Sequence, residues 1–331
     1  TAIDHDNLTD ADFAGLIDIY VHFLGGLTPE IGTFDRLAQV QLVDGVGTVT
    51  VVLPPVFGPT FLWAQHSDSD GDGFDDPDAT YATGTSPTLW FRQPYLADVS
   101  RPEDEEALDA LERSALTDKQ INVVASRYGD RGRLVVTGVY AQGYTLSDAE
   151  CADADGAPPC TTGDYDHVFV FTFSRPRDED GDTIAVGETI GRLTGAVSEF
   201  NGLTEIGFPQ SFVTDPSVDE DRVPAPILIE DAWFDDIIRF ERAEAALVAI
   251  EGATLCELDD DFVMYKQWKL DLGLGCQDAI NVITSGVAEL DLAEHVGEVM
   301  PRVVGTLRPV NTGSFNVWIV YPRGTSDLTL P

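Results

Sequence analysis

Short runs of β-branched and aromatic residues, alternating with polar ones and cut by Gly, Pro and Asp, recur from end to end of this chain. The clearest are residues 46–53, 133–140, 167–173, 246–251 and 315–321. A period of two sends alternate side chains to opposite faces, so each run can bury one face only by pairing with others. Many such strands with tight turns between them imply a sandwich or barrel, and the expected class is mostly β with a few short helices. Helical signal is confined to 103–113, which follows Pro102 and has an acidic first turn, and to two weaker stretches, 9–20 and 235–245.

Set side by side, the runs form an internal repeat of strand, second strand, acidic loop and third strand. The first copy uses 49–52, 61–65, the loop 68–78 and 88–91. The second uses 135–140, 143–146, the loop 148–166 and 168–171. The third uses 247–252, 267–270, the loop 271–279 and 280–283. The second and third copies run on into closing hairpins, 189–197 with 203–206 and 303–307 with 315–319. Five strands per unit, the last two joined by a glycine-containing turn, suit a small Greek-key barrel.

Three segments carry a resemblance to a known family. Residues 187–206 (GETIGRLTGAVSEFNGLTEI) look like the closing half of the oligonucleotide/oligosaccharide-binding (OB) folds that accompany bacterial extracellular nucleases. Residues 240–251 (FERAEAALVAIE) resemble the segment that opens the next such domain, and 321–328 (YPRGTSDL) its end. The resemblance spans roughly residues 130–331 and implies tandem OB-like Greek-key barrels. Nothing in the chain corresponds to the family's separate nuclease domain. The expected division is an N-terminal arm (1–30), a divergent β domain with an acidic loop (31–129), an OB-like domain (130–213), a linker with a short helix (214–243) and a second OB-like domain (244–331).

The chain carries 58 Asp and Glu against 19 Lys and Arg, a formal net charge of −39. Such a surface repels phosphate backbones, because nucleic-acid binders gain affinity by neutralising phosphates with basic side chains. Nucleic-acid partners are therefore not expected. A halophilic source is an alternative explanation of the acidity. No stretch of 18 apolar residues occurs, the length a membrane-spanning helix needs. The sequence opens at Thr1 with no Met, basic segment or apolar leader, the expectation for a mature form freed of a signal peptide.

The four cysteines, Cys151, Cys160, Cys256 and Cys276, show no CxxC spacing, and five histidines are too few to complete zinc sites. Each has one partner close in sequence, so the expected bridges are Cys151–Cys160 and Cys256–Cys276 in an oxidising compartment; four buried thiols are the alternative.

The sharpest motif is DSDGDGFDDPD, residues 68–78. Asp68, Asp70 and Asp72 stand at alternating positions ahead of a glycine, with the Phe74 carbonyl and Asp76 next in line, which is the spacing of calcium loops. It also resembles the calcium repeats of thrombospondin-like surface proteins. The twelfth position is Ala79, so Asp78 or its neighbour Asp75 stands in for the usual acid. A weaker copy comprises Asp178, Asp180 and Asp182, and a third lies at Asp153–Gly156. The alternative for each is a solvated acidic turn. Calcium is the expected cofactor.

Signatures of catalysis are missing. The sequence has no GxSxG elbow, no HExxH and no phosphate-cradling glycine loop, and the pairs Glu105/Glu106 and Glu241/Glu244 read as exposed helix faces. Trp63, Trp90, Phe91, Trp268 and Trp318 sit on strands and read as core. The apolar stretch 16–24, ahead of Gly25, Gly26 and Pro29, reads as an element able to dock on a neighbouring copy, the alternative being a helix or strand that caps its own barrel. The function expected is that of a secreted, calcium-stabilised, non-catalytic structural or adhesive protein of the cell surface, self-assembling into a filament or other homopolymer. The alternative is a module binding a saccharide or another extracellular surface polymer.

Overall fold

The alternating runs become strands, and their pairing divides the chain into two units, Thr1–Gln93 and Pro94–Pro331. The computed structural model describes the chain except residues 24–35, 54–55, 68–81, 105–112, 216–217, 288–289 and 313–314.

In the first unit, strands β1 (Gly15–Phe23), β2 (Ala38–Leu42), β3 (Pro59–His66), β4 (Gly84–Thr85) and β5 (Leu89–Trp90) form one sheet, ordered β2-β1-β3-β4 with β5 also on β3. The stretch expected as a helix over 9–20 is corrected: from Gly15 it is extended, hydrogen-bonded to β2 on one edge and β3 on the other. Its Ile-Asp-Ile-Tyr-Val alternation favours a pleated, half-buried surface over a helix. The first copy of the repeat also departs from expectation, since residues 47–53 form no strand. Asp44 and Gly45, both at positive φ (52° and 72°), reverse the chain between Val43 and Val46. Among the described residues, Leu42 and Phe57 are the buried apolar side chains of this unit. Ile17, Ile19, Val40 and Leu62 line an open groove of about 680 Å³ on one sheet face.

The second unit starts earlier than residue 130. Helix α1 (Leu96–Ser100) buries Leu96 and Val99, and β6 (Gln120–Val123) pairs with residues 193–196, so the segment 94–129 belongs to the second unit. Strands β7 (Gly132–Tyr140), β8 (Gly143–Glu150), β9 (His167–Phe171), β10 (Thr189–Phe200) and β11 (Leu203–Asp215) close on themselves. The order around the ring is β7-β8-β9-β11-β10 and back to β7. The β9–β11 pair is parallel and the others antiparallel. Asn201 and Gly202, both at positive φ (53° and 82°), make the tight turn between β10 and β11. Leu134, Val136, Tyr144, Leu146, Val168, Val170, Ile190, Leu193 and Ile206 fill the interior. Val135 faces outward but is buried beneath the Cys151–Cys160 loop.

After β12 (Ile227–Leu228), the 3₁₀ turn Asp231–Asp235 and helix α2 (Ile238–Arg242), the arrangement repeats. Strands β13 (Leu247–Leu255), β14 (Gln267–Asp271, after the short helix α3, Asp260–Tyr265), β15 (Ile280–Ile283), β16 (Val299–Thr312) and β17 (Phe315–Tyr321) close in the same order. Again the third and fifth strands are parallel, and β18 (Leu328–Thr329) adds to β16. Val248, Ile250, Leu255, Trp268, Leu270, Ile280, Val282, Val303, Leu307 and Val320 form its core. Both expected disulfides, Cys151–Cys160 and Cys256–Cys276, are present. Among the described residues no helix is long and apolar enough to cross a membrane.

Candidate binding cleft

The two closed sheets of the second unit are joined by polar bonds at the ends of their strands. The Tyr140 hydroxyl lies 2.5 Å from Thr306 Oγ1, the Arg323 guanidinium donates to the Thr137 carbonyl at 2.9 Å, and the Asn311 amide donates to the Asn201 carbonyl at 2.7 Å. Beside this seam lies a cleft of about 840 Å³, lined from both sheets and open to solvent. That volume lies within the range of small-molecule sites.

Arg308 of β16 sits at its floor. Its guanidinium carbon is 4.2 Å from the ring centres of both Tyr140 and Phe169 and 4.8 Å from that of Tyr321. Rings in that arrangement stabilise a cation through their quadrupoles and hold its plane fixed. They supply no acceptors for its N–H groups. Nε and Nη2 are screened from solvent and have no hydrogen-bond partner in the protein. These two nitrogens share one edge of the guanidinium, the edge that grips a two-oxygen acceptor.

Glu205 of β11, paired with Phe169 in the sheet register, lines the same cleft and is almost fully buried. Burial pushes its carboxyl up to about 7; the Arg308 charge pulls it down and Glu199 pushes it further up. Behind it, Glu199 accepts from the Ser114 amide (3.0 Å) and the Thr204 hydroxyl (2.8 Å), and Glu244 accepts from the Thr204 amide at 3.0 Å. Burial and the neighbouring Glu241 hold the Glu244 carboxyl well above the ordinary range. Glu241 and Glu244 are thus buried, which corrects their reading as an exposed face: α2 is one turn long and its acidic end lies under the β10–β11 hairpin.

Gln142, Asn201, Arg175 and the rings of Phe171 and Phe200 complete the rim. Phe200 is 63% exposed, and Phe171 continues into an aromatic ridge with Phe173 and Phe208, at ring spacings of 4.4 and 5.0 Å. Arg323 is already committed to Asp327. Side-chain amides and the exposed ring of Phe200 can bind a polyhydroxylated ligand. Among the described residues the cleft contains no paired nucleophile and base.

The residues singled out in the sequence lie elsewhere. Asp68, Asp70, Asp72, Phe74, Asp76 and Asp78, with the pair Glu105/Glu106, fall outside the described residues. Asp178 organises a tight hairpin: its Oδ1 accepts from the Asp180 and Asp182 amides at 3.1 and 2.7 Å. Asp153 does the same for Asp155 and Ala157, both at 3.0 Å. Among the described residues no group of three His, Cys, Asp or Glu is placed to hold a metal ion. Trp268 is core, and the half-buried Trp318 packs against it, stacked on Phe240 at 5.6 Å. Trp63 is half-buried, while Trp90 is 77% exposed, contrary to its reading as core, because it lies on a two-residue edge strand.

Sequence reasoning also missed a buried network in the first barrel. Asp166 accepts from Arg127 (2.8 Å), the Tyr128 hydroxyl (2.6 Å) and the Gly163 amide (2.6 Å), and Ser147 Oγ lies 2.8 Å from His167 Nδ1. Burial, with help from Arg127, depresses His167 to about 3, so the imidazole is neutral. Ser147 and His167 are both sealed from solvent. No protein-family model matches this chain, and no curated protein sequence matches it.

Proposed function

We propose that this chain is an extracellular, disulfide-bonded, non-catalytic binding module that takes a saccharide or a related surface polymer in the cleft of its second unit. The observation that carries the reading is the cleft itself, where ring faces and side-chain amides converge in about 840 Å³. Sugars present C–H faces to aromatic rings and hydroxyl edges to such donors and acceptors. The OB-like assignment is part of the proposal. Its support is the ring order first-second-third-fifth-fourth, with the third and fifth strands parallel, occurring twice. Two disulfides support an oxidising compartment. The −39 charge argues against nucleic acid.

Titration of the full chain with a panel of neutral and acidic oligosaccharides, monitored by calorimetry, tests the reading. At least one class binds, and Phe200→Ala weakens it several-fold without loss of folding, because Phe200 is exposed and outside either core. A panel with no binder ends the saccharide reading.

Self-association into a homopolymer is the second reading, favoured by the first unit. A sheet whose described apolar residues bury only Leu42 and Phe57 leaves a face that a second copy can cover. Both edges of β1 are already bonded within the unit, so association would use the groove face. Light scattering against concentration, with calcium and with chelator, distinguishes the two: a monomer at every concentration removes the assembly reading.

A further inference from the structure

We propose that the binding site continues out of the cleft over the ridge of Phe171, Phe173 and Phe208, and that its ligand is a neutral polysaccharide held along its length. The inference rests on the saccharide reading and extends that site. Phe173 is 55% exposed and Phe208 74% exposed, so both rings are open to a ligand. Phe171 lines the cleft and touches Phe173 at 4.4 Å, and Phe173 touches Phe208 at 5.0 Å. Arg175, two residues past Phe173, lines the cleft as well. Cleft and ridge are therefore one continuous surface, with Phe200 and Phe208 among its exposed rings.

The backbone is bent to place these rings. Phe173 and Phe208 both stand at positive φ (59° and 50°), a region that bulky side chains rarely occupy because Cβ crowds the neighbouring carbonyl. In the β10–β11 register Thr194 pairs with Gln210 and Ala196 with Gly207, so Phe208 and Pro209 together oppose Gly195. That is a β-bulge, which turns a side chain out of the regular pleat. Here it sets Phe208 against Phe173. Neither ring is buried in exchange for its strained backbone. Strain kept at an exposed pair of rings beside a cleft points to binding rather than to packing.

Size and shape select the occupant. The exposed parts of Phe173 and Phe208 amount to on the order of 300 Å², against the roughly 800 Å² that a stable protein partner covers on each side. A second copy of the chain would gain too little here. The ring planes turn by 58° and then 45° along the ridge, so one flat ligand cannot lie on all three, whereas a chain of linked sugars can. Charge selects the class further. The face of an aromatic ring is negative and attracts the C–H groups of a sugar, while an anionic chain would meet both that face and a protein of charge −39. Pyranoses whose hydroxyls are equatorial expose the most C–H surface. The class is therefore a neutral, equatorially substituted glycan, such as a β-linked glucan or xylan.

The experiment titrates the intact protein with cellotriose, cellohexaose, xylotriose and xylohexaose by calorimetry, beside a galacturonate hexamer. At least one neutral hexasaccharide should bind about tenfold more tightly than its trisaccharide, because only the longer chain reaches both cleft and ridge. Phe173→Ala and Phe208→Ala should each weaken the hexasaccharide by about two- to tenfold, the loss of one ring contact, and cost the trisaccharide less. Phe208→Gly should lose the same affinity as Phe208→Ala yet melt above it, since glycine accepts a φ of 50° without strain. If trisaccharide and hexasaccharide bind equally, or if the ridge variants leave the hexasaccharide unchanged, the ridge falls while the cleft reading stands. Binding of the galacturonate hexamer alone overturns the neutral class. A Phe208→Ala variant that disperses a self-associated species without altering glycan affinity assigns the ridge to a second copy and also overturns the proposal. If no saccharide binds, both readings fall. The comparison of chain lengths needs no variant, so a misfolded variant would not shield the proposal.

Discussion

A Cβ added at Gly305 of β16 would stand 2.6 Å from both the carbonyl carbon and the oxygen of Tyr321. Those are backbone atoms, so neither can rotate away. Gly305→Ala should cost about 1–3 kcal/mol, the usual penalty for overpacking. A lower urea midpoint at unchanged slope would check it; an unaltered midpoint would show that β17 yields. The same displacement moves Tyr321 off Arg308, so ligand affinity should fall with stability. At this scale the sequence was a poor guide to the cleft. Arg308 stands between Leu307 and Pro309 in a strand that also carries Arg302, and nothing local says that rings from three other strands will enclose it. Glu241 and Glu244 misled for a related reason. Acidic residues three apart look like a solvated helix face until the hairpin above them is known.

Strands and turns were far more legible. The second and third copies of the repeat were visible because alternation, turn residues and strand length agreed locally, and the strands lie where the alternation put them. The first copy failed because a β-branched run alone cannot distinguish a strand from an extended loop: 49–52 lies just beyond the Asp44–Gly45 reversal and forms no strand. The acidic loops divide similarly. At Asp4, Asp153, Asp178 and Asp271 one carboxylate oxygen accepts from amides two and four residues on. At Asp271 the bonds from Gly275 and Gly273 draw the carboxyl below its ordinary value. Such turns are held by these amide bonds. The loop 68–78 has three alternating acids ahead of Gly73, the sequence spacing of a calcium loop. Calcium is therefore expected to raise the melting temperature, by an amount equivalent to about 2.7 kcal/mol at a hundredfold excess over Kd. Replacing Asp70 and Asp72 together by Asn should abolish that increment, while Asp178→Asn should leave it in place. Superimposable melting curves in calcium and in chelator would remove calcium from the account.

Across the whole molecule the dominant electrostatic fact is an excess of carboxylates, several of them inside the second unit. Burial raises Asp148 to about 6 and Glu205 to about 7, and also raises Asp166, Glu188, Glu199 and Glu244. A carboxyl whose folded-state pKa lies above its unfolded value keeps its proton longer in the folded state. Stability therefore falls as pH rises from the unfolded value, near 4, through the folded one. His167 acts in the opposite direction. It is neutral and buried with a pKa of about 3, so protonation of the unfolded chain costs stability as pH drops below 6.5. Six groups favour acid and one opposes it, so these groups together place the stability maximum at about pH 4, where the carboxyl losses begin, with a decline toward pH 8. A shift of the size seen at Asp148 contributes on the order of 3 kcal/mol to that decline. General repulsion in a chain of charge −39 acts in the same direction, but salt screens it and leaves the buried groups largely unscreened. Glu244→Gln separates the two. The amide oxygen can still accept from the Thr204 amide, the titration is gone, and the melting temperature should lose part of its slope between pH 6 and 8 even in 1 M salt, where ~3 Å screening removes surface repulsion. A melting temperature that climbs from pH 5 to pH 8, or a slope that salt alone abolishes, would mean that these carboxyls are solvated and ionised in the folded protein.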